Sequence, residues 1–244
     1  MAVDTPATVA VIGAGPIGLE AALYARFLGY DVRIFERNVA AGNLLTTDAT
    51  WHCAWRESIS PLGIAALAAQ QPNWQPPPTE TILRAAELAE LYFVPLAQSD
   101  LLVDNLLVGR EVIGIERDLA PGELPEEDEV TGFRLRIRST EGEEVETADI
   151  VIDTSGIVPT ADAERLVFGA LRFAESEGEA SIPSDTSPQR LLTAEADYYV
   201  LGMKSAKVPS EFRYVDGLRQ IRDLFTIIAD RSSLDLYANV AATN

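Results

Sequence analysis

Gly13, Gly15 and Gly18 follow directly on the β-branched, uncharged run Thr8 to Ile12, in TVAVIGAGPIGLEAALYARFLGYDVRIFER, and few backbones accept that order. The run suits a strand buried on both faces of a parallel sheet. The first glycine permits a tight turn, the second a close approach of backbone to a ligand, and the third close packing of the following helix on the strand. Leu19 to Leu28 reads as that helix, with Ala21, Ala22 and Ala25 small enough to pack closely. Gly29 then turns the chain into a second strand, Val32 to Phe35. Glu36 ends it, roughly 20 residues beyond the glycines, where a carboxylate takes two ribose hydroxyls. The helix N-terminus faces its free N–H groups and positive dipole end toward phosphate. Strand, turn, helix, strand and acid in this order predict a dinucleotide site built from Gly13, Ala14, Gly15, Pro16, Ile17, Gly18, Glu36 and Arg37. Glu36 argues against a 2′-phosphate on the ribose. The fingerprint alone does not separate NAD from FAD, because both carry an ADP moiety.

Composition narrows the partners. At 244 residues with 47% hydrophobic and 23% charged content, the chain has material for a full globular core. A formal charge of -19 would repel nucleic-acid phosphate and anionic membrane surfaces, so neither is expected as a partner. Cys53 is the sole cysteine, which excludes an internal disulfide framework and fits a reducing cytoplasm. No apolar run approaches the roughly 18 residues of a membrane span, and MAVDTPATVAVIG lacks the basic start of a secretory signal. Membrane insertion is not expected.

Further along, Glu80 to Leu96 carries apolar residues at helical spacing, with Pro95 near its end. Val108 to Arg117, Phe133 to Arg138 and Glu144 to Asp153 read as three strands, separated by the acidic, proline-containing loop Pro121 to Glu129. Ser210 to Arg231 reads as a closing helix, with Phe212, Val215, Leu218, Ile221, Leu224, Phe225 and Ile228 at spacings of three and four.

The opening segment resembles the first segment of flavoproteins with two dinucleotide-binding domains, the superfamily of flavin monooxygenases and pyridine nucleotide-disulfide reductases. ADIVIDTSGIVP, Ala148 to Pro159, is similar to the strand that brings the chain of these proteins back to the FAD domain after a β-meander. Thr154, Ser155 and Gly156 are its matching positions near the FAD. ADYYVLGMKSA, Ala196 to Ala206, is similar to their last FAD-domain strand, and Gly202 matches its glycine. Met203 and Lys204 stand where disulfide reductases usually place a ribityl-binding aspartate. The resemblance also implies that Val112, on the first meander strand, lies near the adenine.

The implied fold is α/β, a Rossmann-like FAD-binding fold with a central, mostly parallel sheet and a three-stranded β-meander. Residues 1–244 are expected to form a single FAD-binding domain. Such flavoproteins insert a nicotinamide-nucleotide domain of roughly 100 residues or more between the halves of the FAD domain. Here Ile157 to Asp197 offers one helix, Ala161 to Glu175, and a serine- and proline-rich loop, so 157–197 reads as a short remnant or replacement. Electrons would come from the small-molecule substrate, from NAD(P)H bound transiently, or from a partner reductase; a homo-oligomer is the other partner expected.

Side chains for chemistry are few. His52, the sole histidine, falls where the flavoprotein chain runs along the flavin, and an imidazole there serves as acid or base near neutral pH. The alternative is an aromatic loop that packs Trp51 and Trp55 against the domain. Cys53 is expected to be a buried, inert thiol. With one histidine and no cysteine cluster, no zinc-type site is expected. Flavin catalysis asks little of side chains, because the cofactor carries the hard chemistry. The leading expectation is a FAD-binding oxidoreductase, monooxygenase-like in type. An NAD-dependent oxidoreductase on the same fingerprint is one alternative, and a non-catalytic flavin-binding subunit or sensor is the other.

Overall fold

Every second residue of the central strands faces one of two cores, and this alternation organises the protein. The computed structural model describes residues 6–47, 52–71, 73–118, 132–156, 188–206 and 211–241. Strands β1 (Thr8–Ile12) and β2 (Asp31–Glu36) flank helix α1 (Pro16–Phe27) in sequence. A short helix α2 (Gly42–Leu45), strand β3 (His52–Ala54), helix α3 (Pro61–Gln70), strand β4 (Ile82–Arg84) and helices α4 (Ala85–Leu88) and α5 (Val94–Ala97) follow. Then come β5 (Leu106–Val108), β6 (Glu111–Arg117), β7 (Phe133–Ser139), β8 (Gly142–Ala148), β9 (Ile150–Asp153), β10 (Tyr198–Val200), α6 (Tyr214–Ile228) and α7 (Leu236–Ala241). The main sheet runs β10-β9-β1-β2-β5 with every pairing parallel.

Val9, Val11, Val32, Ile34, Ile150, Ile152 and Tyr199 point into the helical core with Leu19, Leu23 and Phe225. Ala10, Ile12, Phe35, Val151 and Tyr198 point the other way, onto Val112, Ile115, Phe133, Leu135 and Ile137 of the meander β6-β7-β8. Successive side chains of a strand project to opposite faces, so uninterrupted apolar strands require cover on both sides. Helices supply one cover and the antiparallel meander the other. The expected α/β fold with a parallel central sheet and a three-stranded meander is therefore what the chain adopts.

Several boundaries differ from expectation. Val108 to Arg117 is two strands, because Gly109 takes φ +73 and hands the chain from the main sheet at β5 to the meander at β6. Glu144 to Asp153 likewise divides at Asp149, whose carboxylate accepts the Thr8 N–H at 2.7 Å and whose own N–H donates to the Thr8 carbonyl at 3.0 Å. The helix expected from Glu80 begins only at Ala85, since Ile82–Arg84 pairs antiparallel with His52–Ala54. Glu87 caps that helix by accepting the Arg84 N–H at 2.9 Å, a signal the sequence carries at the third helical position. Residues Ala89–Phe93 then widen into a π turn. Pro95 has no N–H to give the Leu91 carbonyl, and that carbonyl accepts the Trp74 indole N–H at 3.2 Å instead. The closing helix is shorter at both ends, Tyr214–Ile228, and buries Ile221, Leu224, Phe225 and Ile228. The loop Pro121 to Glu129 and the helix Ala161 to Glu175 lie outside the described residues, as does most of 157–197.

Candidate functional site

The carboxyl ends of β2, β1, β9 and β10 meet along one edge of the sheet, and a cleft of about 700 Å³ opens there. Ligands of open α/β sheets sit at that edge. Gly13, Gly15, Pro16, Ile17, Glu36 and Arg37 line one part of the cleft, and Thr154, Ser155, Gly156 and Gly202 line the other. Ten of the sequence-selected positions are thus brought to one trench. Ala14, Gly18, Val112 and His52 do not line it.

Each glycine has its own reason. Gly13 holds φ +95, and a Cβ there would come within 3.3 Å of the Thr154 carbonyl oxygen. A Cβ on Gly18 would strike the Gly13 carbonyl oxygen and approach Thr154 Oγ1 to 2.6 Å. Thr154 closes this junction by donating its hydroxyl to the Ile12 carbonyl at 2.8 Å. Gly15 is the N-cap of α1 in extended conformation, no side chain caps the helix, and Pro16 follows, so the first-turn N–H groups face the cleft. Gly18→Ala is expected to push α1 off the β1–β9 ends and cost about 1–3 kcal/mol, as overpacking against backbone does, which urea unfolding would measure.

Glu36 ties the two turns together. Its Oε2 accepts the Ala14 N–H and its Oε1 the Asn38 N–H, both at 2.8 Å. Each carboxylate oxygen has a second acceptor site, so the group is oriented and still able to receive two hydroxyls from the cleft. Ala14 contributes through this backbone bond. At the other end Gly202, at φ +82, gives its N–H to the buried Gln220 Oε1 at 2.8 Å. Gln220 is anchored in turn by Ser205, whose hydroxyl accepts its amide N–H at 3.0 Å. Within a helix read only for its apolar stripe, Gln220 gave no sequence signal.

Two polar clusters went unread in the sequence. Asp153, at 2% exposure, receives the Ser155 N–H at 2.9 Å, the Ser155 hydroxyl at 2.7 Å, the Tyr198 hydroxyl at 3.2 Å and the Lys204 ammonium at 2.8 Å. Lys204 also donates to Ser155 Oγ at 2.7 Å. Lys204 therefore braces the Thr154–Gly156 turn through Asp153 and Ser155.

The second cluster surrounds Glu20 of α1, which is fully buried. Its Oε2 accepts the Tyr214 hydroxyl at 3.0 Å, while Oε1 has no hydrogen-bond partner among the described residues. Ser60, Tyr92 and Tyr237 stand around it, and the Tyr237 hydroxyl faces the carboxyl without reaching normal hydrogen-bond distance of any partner among the described residues. Burial outweighs these hydroxyls and pushes the Glu20 carboxyl up to about 7. Tyr214 is also a wall of the cleft. Glu20 was missed because a glutamate inside a helix reads as a solvated position.

The remaining candidates are peripheral. His52 is exposed on β3, paired with Arg84 across the two-stranded ladder. Val112 is buried in the meander core. Cys53 is half-buried, and burial raises its thiol, so it is not an activated nucleophile. Trp55 packs edge-on against Tyr92 at 5.8 Å, in keeping with an aromatic loop, while Trp51 lies outside the described residues. Among the described residues no helix is long and apolar enough to cross a membrane.

Several solved structures are similar to part of the chain. The OTEMO complex with FAD and NADP is 18% identical, with a TM-score of 0.44 over 63% of this chain and 26% of its own. The bacillithiol disulfide reductase Bdr from Bacillus cereus is 16% identical, with a TM-score of 0.43 over 60% of this chain and 39% of its own. An oxidized steroid monooxygenase bound to NADP is 22% identical, with a TM-score of 0.41 over 62% and 26% of the two chains. The chain thus spans well under half the length of each. No curated protein matches it. A family model does, across residues 2–170, from before β1 to beyond β9: the chain belongs to the family described as alanine dehydrogenase/PNT, C-terminal domain.

Proposed function

We propose that the chain binds FAD along the cleft and serves as a FAD-dependent oxidoreductase. One observation carries this: the fingerprint turn, Glu36 and the turns at Thr154–Gly156 and Gly202 line a single trench of about 700 Å³, so the cleft continues from the β1 and β2 ends that would hold an ADP moiety to those of β9 and β10. The residues suit such a ligand. Glu36 would receive the adenosine ribose hydroxyls, the first turn of α1 the pyrophosphate, and the Ser155 to Gly202 end the remainder. When bound, FAD supplies the hydride and electron transfer. The protein's part is to hold the ADP half rigidly, to keep the floor at Gly13 and Gly156 free of side chains, and to shape the far end through the Asp153–Lys204 brace. A small-molecule substrate, with that substrate, NAD(P)H or a partner reductase as electron source, completes the proposal.

The family match favours a second reading, in which NAD(H) occupies the same fingerprint and Glu36 excludes the 2′-phosphate form. The two separate in one experiment. Protein reconstituted with FAD should retain the flavin's visible absorption after gel filtration, and anaerobic NADH or NADPH should bleach it. A flavin band that persists would point to another donor or to a binding role. No retained flavin, with saturable NADH binding, would replace FAD by NAD. Glu36→Ala is expected to weaken FAD binding at least about tenfold, since a hydrogen bond to a charged group contributes about 1.5–3 kcal/mol. Equilibrium titration of flavin fluorescence would check it.

A further inference from the structure

Glu20 places an ionisable group inside the helix whose N-terminus faces the cleft. Gly15 caps α1, and Glu20 lies five residues on, roughly 7–8 Å along the axis, with its side chain tilted back toward the N-terminus. The groups that face the carboxyl are hydroxyls: Ser60 before α3, Tyr92 of the π turn, Tyr214 of α6 and Tyr237 of α7, with Tyr24 flanking on α1 itself. Every one of these is neutral around pH 7. The tyrosines are held above their ordinary range by burial. No cation therefore offsets a charge on Glu20, which hydroxyls alone face, and Oε1 accepts from none of them at normal hydrogen-bond distance among the described residues. A pyrophosphate at the first turn of the same helix adds negative charge on the axis that an ionised Glu20 would share. Like charges in a poorly screened interior disfavour one another.

We propose that the cleft binds its nucleotide together with a proton on Glu20, so that nucleotide occupancy and a neutral fingerprint helix favour each other. The inference rests on a dinucleotide occupying the cleft. Coupling between two ligands is reciprocal: phosphate binding raises proton affinity at Glu20, and deprotonation weakens phosphate binding by the same factor. Because the free protein's carboxyl titrates near neutrality, the coupling would be visible at ordinary pH. Tyr214, which both donates to Glu20 and walls the cleft, gives the linkage a direct structural contact.

Calorimetric titration of the full chain with FAD, in two buffers of different ionisation enthalpy, counts protons taken up on binding, and FAD's pyrophosphate does not itself titrate near neutrality. Wild type is expected to take up a substantial fraction of a proton at about pH 7.5, with FAD affinity falling about tenfold between about pH 6.5 and about pH 8.5. Glu20→Gln should abolish both effects while still binding FAD. Tyr214→Phe removes a hydrogen bond that favours the charged form, so it should move the fall in affinity to higher pH. FAD binding without proton uptake, uptake unchanged in Glu20→Gln, or an unmoved midpoint in Tyr214→Phe would overturn the proposal and leave the FAD assignment standing. Failure of wild type to bind FAD at any pH would remove both.

Discussion

Lys204→Met is expected to destabilise the protein by about 3 kcal/mol, the lower end of what uncompensated burial of one ion of a pair costs. Asp153 is 2% exposed, and among the described residues Lys204 is the cation paired with it, at 2.8 Å. The lower end applies because the carboxylate keeps three donors, the Ser155 N–H, the Ser155 hydroxyl and the Tyr198 hydroxyl. The lysine is also a quarter exposed, at 26%, so water moderates the interaction. Chemical unfolding of wild type, Lys204→Met, Asp153→Asn and the double variant forms a closed cycle. The double variant should be more stable than the sum of the single losses implies, because neutralising Asp153 removes the charge that the lysine offset. Additive losses would mean that the pair is incidental.

Glu20 yields the second large effect, in the opposite sense to an ordinary carboxylate. Its folded value, about 7, lies above the unfolded 4.5, so the folded chain keeps a proton that the unfolded chain releases. The contribution to stability is fully present below about pH 4.5 and is lost as pH rises to about 7. At about 1.4 kcal/mol per pH unit, the loss over that window is about 3 kcal/mol. Glu20→Gln should lack this fall and exceed wild type at alkaline pH by up to that amount. The difference between the two proteins' unfolding free energies, followed across the window, isolates Glu20 from every other titrating group. A constant difference would show that the carboxyl titrates in the ordinary range.

The sequence disclosed whatever depended on short-range pattern. Val9 to Ile12, the three glycines and Glu36 are contiguous or separated by one strand and one helix, and each sits where its spacing implied. Thr154–Gly156 and Gly202 arrive at the same cleft through parallel pairing of β9 with β1 and β10 with β9, which a family resemblance anticipated and periodicity did not. Hidden features arise from contacts distant in sequence. Lys204 reaches Asp153 across 51 positions, and Tyr214 reaches Glu20 across 194. No local pattern marks a glutamate as buried when the side chains around it come from the residue that caps α3, from α6 and α7, and from a π turn. That turn was equally hidden, since Pro95 reads as the end of a helix until Trp74 is seen capping the Leu91 carbonyl.

The claim that the trench holds a flavin dinucleotide is tested most directly by equilibrium titration of the purified chain with FAD, wild type beside Glu36→Ala. Saturable binding of one FAD per chain, weakened at least about tenfold by the substitution, is the predicted result. Absence of FAD binding, or an affinity that Glu36→Ala leaves unchanged, would contradict it.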